Sequence, residues 1–163
     1  MARWLDRDTL AVAPDFGPGS LISSGYPRIV KEWRRGTPLA QARLIYAAQP
    51  SDLSGSAYRT FTPGFEYTFV ERQLSFFAGE LLLRRGGDLL RIDKPDDASA
   101  FTVRGQLLIS LRSDWRVGGA TYPQGALLAI DFSRFLAGAR HRTAPRRWRL
   151  APGCATRKTP ELV

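Results

Sequence analysis

The chain of 163 residues has one cysteine, Cys154, one histidine, His141, and one methionine, Met1. A single cysteine excludes an internal disulfide framework, and one cysteine with one histidine cannot assemble a Cys/His zinc site within the chain. No run of about 18 apolar residues occurs, so no membrane-spanning helix is expected. The N-terminal Met1-Ala2-Arg3-Trp4-Leu5-Asp6-Arg7-Asp8 puts charges where a signal peptide needs an apolar core. The expectation is a soluble, cytoplasmic protein with no membrane partner. A nucleophile elbow is also missing, because no serine has glycine two residues to either side. Acyl transfer therefore lacks its nucleophile. His141 as a general base sits among arginines that favour its neutral form, in a segment with no core-forming pattern. The sequence thus supplies no catalytic residue, no metal ligand set and no cofactor site, and its pattern identifies no substrate-contacting residue.

Acidic residues are scarce beside basic ones, 15 against 24, for a formal charge of +9. The excess is concentrated at one end. Residues 139–163 carry Arg140, Arg142, Arg146, Arg147, Arg149, Arg157 and Lys158 against Glu161 alone, leaving 17 basic and 14 acidic residues before them. A near-neutral body, 1–138, and a basic tail, 139–163, follow. The body, in a chain with 44% apolar residues, can bury a modest core, whereas the tail lacks an apolar pattern and is expected to be irregular and disordered.

Within the body, turn signals recur at short intervals. Tyr67 to Phe77, Glu80 to Arg85 and Asp88 to Ile92 read as three strands of a meander. Ala78-Gly79 is expected as the first turn, and Gly86-Gly87 as a two-residue hairpin turn. Ser99 to Val103 and Gln106 to Arg112 pair around Arg104-Gly105. Gly118-Gly119 turns the chain between Trp115 and Tyr122, and Ala126 to Phe132 reads as a buried strand. Ser133 is expected to cap a helical turn, Arg134 to Ala137, ended by Gly138. Earlier, Thr9 to Ala13 and Tyr26 to Trp33 are strands, and Thr37 to Leu44 reads as a short helix running into a strand. The fold class is all-β. Units of four strands in roughly 40 to 45 residues have the size of a propeller blade, and the body would supply about three. A propeller fragment, a sandwich and a small barrel all fit this pattern.

Several stretches carry the residue types of a site. Gly17-Pro18-Gly19-Ser20 has the glycines of a phosphate loop, but no lysine follows and no helix starts there, so a connecting loop is expected. Asp6 with Asp8, and Asp96 with Asp97, are read as turn formers rather than cation ligands. Trp4, Trp33, Phe69, Phe76, Phe77, Trp115 and Phe132 are placed on strands, as packing layers between blades. Arg146-Arg147-Trp148-Arg149 alone interleaves an aromatic with basic residues, the arrangement that stacks bases. A β-module whose tail contacts nucleic acid or another polyanion is the alternative reading, and it is disfavoured.

Two long stretches resemble the N-terminal propeller of the prolyl oligopeptidase family. One runs from Trp4-Leu5-Asp6 through Asp15-Phe16-Gly17-Pro18-Gly19-Ser20 and Ser24-Gly25-Tyr26-Pro27-Arg28-Ile29-Val30-Lys31 to Trp33-Arg34-Arg35-Gly36-Thr37-Pro38-Leu39. The other runs from Ser113-Asp114-Trp115-Arg116-Val117-Gly118-Gly119 to Tyr122-Pro123 and Leu128-Ala129-Ile130-Asp131-Phe132. Tyr58-Arg59, Thr62-Pro63-Gly64-Phe65-Glu66 and Ile92-Asp93-Lys94-Pro95-Asp96-Asp97-Ala98 are similar to that family too. The resemblance implies a partial β-propeller of about three blades that caps, and size-filters access to, an α/β-hydrolase domain not contained here. That domain would be the partner that cleaves short peptides, usually after proline. It also implies that this chain alone is inactive, since the family's propeller holds no catalytic residue. After Gly138 the family's rhythm gives way to an Arg/Pro-rich run, which reads as a truncated or frame-shifted continuation. Missing blades would leave apolar faces uncovered, and self-association is expected.

Overall fold

Alternating burial along short strands builds the molecule. In the computed structural model, residues 1–140 and 148–150 are described, and they fall in two compact units, Met1–Asp96 and Asp97–Val163. Three four-stranded antiparallel sheets, one short hairpin and one α-helix account for the regular structure among them. No helix among these residues is long and apolar enough to cross a membrane.

The first unit holds two of the sheets. Strands β1 (Ala2–Trp4), β2 (Thr9–Val12), β3 (Ile29–Arg34) and β4 (Arg43–Ala47) lie in that order, and β5 (Ser54–Arg59), β6 (Thr68–Ser75), β7 (Ala78–Arg85) and β8 (Asp88–Arg91) form the second sheet, also in chain order. A 3-10 turn, Leu39–Gln41, leads directly into β4, matching the expected short helix running into a strand. On β6, Phe69 and Val70 are consecutive and both fully buried, so the sheet covers apolar side chains on both faces. Val70 and Ala57 pack against Leu5, Ala11, Ala13 and Val30 of the first sheet's segment, with Ile45, Tyr46, Leu82 and Leu89 around them. Phe69 packs against Tyr58 on the opposite face, ring centroids 5.6 Å apart and tilted by 35°.

Charge seals the margins of that inter-sheet core. Arg72 bonds both oxygens of Asp52, at 2.8 and 2.9 Å, and reaches Glu80 at 3.3 Å; Arg91 joins Glu80 to Asp96. The hydrogen bonds from Arg72 hold the Asp52 carboxyl below its usual range, against the opposing effect of its burial. Arg84 pairs with Glu32 across the two sheets.

The second unit contains β9 (Ser99–Val103), β10 (Gln106–Ser110), β11 (Trp115–Val117), β12 (Ala120–Tyr122), β13 (Leu127–Asp131), α1 (Phe132–Arg140) and β14 (Arg149–Leu150). Its sheet runs β14-β13-β10-β9, with β11 and β12 as a separate hairpin. Leu107 and Ile109 face Ile130 and Leu128 across the β10–β13 ladder, and all four are buried. Four strands per sheet, taken consecutively apart from the inserted hairpin, make three propeller blades, and no sheet closes into a barrel.

Several expectations need correction. The β6–β7 turn is Phe76-Phe77, not Ala78-Gly79, and Gly79 lies inside β7. A Cβ on Gly79 would stand 3.1 Å from the Arg72 carbonyl oxygen, so the glycine serves close packing rather than turning. Phe76 and Phe77 consequently stand in solvent instead of between blades, and Trp4 is exposed as well; Phe69 and Phe132 are the deeply buried members of that aromatic set. The helix is capped by Asp131, whose carboxylate accepts from the Arg134 amide at 2.9 Å and the Ser133 hydroxyl at 2.6 Å, and it continues through Gly138. Asp131 satisfies an unpaired amide of the first turn from a position where its own strand ends. Strands β5 and β14 have no counterpart in the sequence reading, and β1 has one only in the placement of Trp4 on a strand.

Within the segment expected to be an irregular tail, Trp148 is buried and Arg149–Leu150 pairs with Leu128 and Ala129 of β13. His141, Arg142, Arg146, Arg147, Cys154, Arg157, Lys158 and Glu161 lie outside the described residues.

Candidate functional site

Each sheet of the first unit begins with a strand that is paired on one side only: β1 with β2, and β5 with β6. A cleft of about 650 Å³ opens along these strands, lined by Met1 to Trp4, Ser56 to Arg59, Phe61 and Glu71. The sequence Ser54-Gly55-Ser56-Ala57-Tyr58-Arg59 lacks the apolar run that marks a strand. It becomes one because Ala57 fits beneath the first sheet while Tyr58 turns to Phe69.

The walls are aromatic and mixed in charge. Ser56 Oγ donates to Glu71 Oε2 at 3.0 Å. Burial, with the nearby Glu71 carboxylate, pushes the Tyr58 hydroxyl up to about 12, so it is a neutral donor throughout the physiological range. Arg59 extends its field to Asp6, whose carboxyl is lowered chiefly by the hydrogen bond from the Asp8 amide and then by the Thr9 hydroxyl. An open strand edge between aromatic walls can take an extended peptide through backbone hydrogen bonds and apolar contact. The Ser56 hydroxyl is engaged by the Glu71 carboxylate, and no imidazole is among the described residues.

The other expected features take structural roles. In the Gly17 to Ser20 loop, Asp15 Oδ1 accepts from the Gly17 amide and the Ser20 hydroxyl, both at 2.8 Å, while Ser20 Oγ accepts from the Phe16 amide. The buried serine is fully committed to folding its own loop. Asp6 accepts from the Asp8 amide, as a turn former does, whereas the carboxylates of Asp8 and Asp96 form ion pairs with Arg35 and Arg91. Among the described residues no cluster of His, Cys, Asp and Glu could hold a metal ion.

Trp148, the aromatic of the disfavoured base-stacking alternative, is buried. Only 6% of its surface is exposed, and its ring packs edge-on at 5.4 Å from Trp115 and at 5.9 Å from Phe135. A ring enclosed by two aromatics has no face to offer a base.

Sequence reading missed the cleft because its residues come from two sheet edges that are distant in sequence. Trp4 and Tyr58-Arg59 lay within recognised motifs, which were the available signals.

No protein-family model matches the chain. An uncharacterized peptidase of Sinorhizobium fredii is 31% identical over 142 residues, which cover 82% of this chain and 20% of that protein. An uncharacterized peptidase of Rickettsia prowazekii is 24% identical over 151 residues, 86% of this chain and again 20% of the relative. Among solved structures, a post-proline cleaving enzyme from Rickettsia typhi shares the fold with a TM-score of 0.78 over 92% of this chain and 22% of its own, at 19% identity. The chain thus spans about a fifth of the length of these relatives.

Proposed function

We propose that this chain, whose resemblance to the propeller region of prolyl oligopeptidase-family peptidases is borne out by its relatives and its fold, is a non-catalytic part of the cap that filters substrates by size. Its partner in this reading is the α/β-hydrolase domain of a serine-type parent, and the substrates are short peptides cleaved after proline. The observation that carries the reading is the row of four-stranded sheets, each beginning at an open first strand, that aligns over 92% of the chain with a post-proline cleaving enzyme. The open edges of β1 and β5 then face the axis of the parent propeller, and the aromatic cleft between them lies on the route of an incoming peptide.

Two experiments test this. The purified chain, incubated with a short proline-containing peptide and followed by mass spectrometry, is expected to produce no cleavage; turnover that a serine-directed inhibitor stops would show that it is an enzyme in itself. A chimera in which this chain replaces the matching fifth of the Sinorhizobium peptidase is expected to cleave the short peptide and leave a folded protein intact. Equal cleavage of both would remove the filtering role.

A further inference from the structure

The β6–β7 turn is unusual in chemistry. Ser75 pairs with Ala78, so Phe76 and Phe77 are the whole connection, and they are 77% and 75% exposed. Two-residue turns favour Gly, Asn and Asp, which reach positive φ cheaply. Neither phenylalanine does so, and the ladder instead shifts register between Gln73 and Ser75, a bulge that absorbs the mismatch in twist. Local propensity and solvation both oppose an aromatic pair here, and positions that break both rules are where a binding function is expected.

The mount is stiff. The Leu53 amide donates to the Gln73 carbonyl at 2.7 Å, the Gly79 amide to the Asp96 carbonyl at 2.7 Å, and Lys94 Nζ to the Gly79 carbonyl at 2.6 Å. Beneath them the Asp52, Arg72, Glu80, Arg91 and Asp96 chain of ion pairs ties the segments before β5 and after β8 to the base of the hairpin. A rigidly held apolar tip loses little conformational entropy on docking.

Topology identifies what docks. Four antiparallel strands return the chain to the end at which it entered, so the connection into β5 and the exit from β8 share one end of the unit, and the Phe76-Phe77 turn is at that end too. In a ring of such sheets every link between blades lies at this end, and the chain can enter and leave the ring only there. A domain appended in the same polypeptide must therefore attach on this side. The relatives, about five times longer, have the length to contain one.

We infer that Phe76 and Phe77 form an apolar tip that seats in the surface of the appended hydrolase domain. This rests on the reading proposed above, and the test separates the two. In a Cys154→Ser background, Phe77→Cys is to be labelled with a thiol reagent in the isolated chain and in the chimera described above, with Asp88→Cys, in the exposed β7–β8 turn at the opposite end of the sheet, as control. The expected result is labelling at 77 on the order of tenfold slower in the chimera, with an unchanged rate at 88. Equal rates at 77 in a chimera that cleaves the short peptide overturn the contact alone. Shielding at 77 in a folded chimera without activity supports the contact and counts against the peptidase reading. Independently of the chimera, the double variant Phe76→Ser with Phe77→Ser is expected to leave the mass of the isolated chain in light scattering unchanged. If it converts an oligomer to a monomer, the pair binds a second copy and the inference falls.

Discussion

Trp148 shows how one side chain changes the reading of a segment. In sequence it is an aromatic among arginines; in the structure it fills the space between Trp115 and Phe135, and its carbonyl accepts from the Tyr122 hydroxyl at 3.4 Å. Trp148→Ala is expected to cost about 3 kcal/mol in urea unfolding, as a large buried ring replaced by a cavity does, and Trp148→Phe less than about 1.5 kcal/mol. An exposed stacking residue would give no change in either. Asp52 sets a second expectation. Its carboxyl, lowered by Arg72, contributes stability that is complete above the ordinary carboxylate range near pH 4 and is lost as pH falls through the lower folded value. The urea midpoint of the wild type is therefore expected to drop steeply below about pH 4, and that of Asp52→Asn more gently. At neutral pH the same variant should be less stable by about 2 kcal/mol, since Arg72 loses its charge-assisted bonds to Asp52 but keeps Glu80.

At the level of the element, hairpins with glycine at the turn were legible and others were not. Gly86-Gly87 was readable because Gly86 takes φ 61°, which few other residues accept cheaply. The Arg104-Gly105 turn was also readable, although Arg104 itself sits at φ 52°. That position carries backbone strain, so Arg104→Gly is expected to raise stability by about 0.5 kcal/mol despite the greater freedom of its unfolded chain; a lower melting temperature in calorimetry would contradict this. The Phe76-Phe77 turn was misplaced by two residues for a physical reason: its chemistry answers to something other than turning. Ser54–Arg59 went unread because neither of its faces shows a continuous apolar pattern, and with it went the cleft that it lines.

For the molecule as a whole, each four-stranded sheet ends in open edge strands, and apolar groups on them stand uncovered. Strand β9 is the terminal strand of its sheet and carries Phe101, 42% exposed, and Val103, 50% exposed; β4 presents Leu44 to solvent in the same way. Such edges associate unless covered or charged. The chain is expected to self-associate at micromolar concentration, and Phe101→Lys with Val103→Lys to lower the mass measured by light scattering. An unassociated wild type would contradict this.

Composition and turn chemistry were enough to establish an all-β chain in four-stranded units with a concentrated basic end, because glycine turns and alternating apolar residues act within a few positions of one another. Family likeness in residues 4 to 138 added the propeller. Which edge of each sheet stays open, where Trp148 is buried, how Asp52 meets Arg72 twenty residues away, and why two phenylalanines stand in water all depend on pairings between distant segments. Those pairings form only when the sheets pack, and no local pattern encodes them.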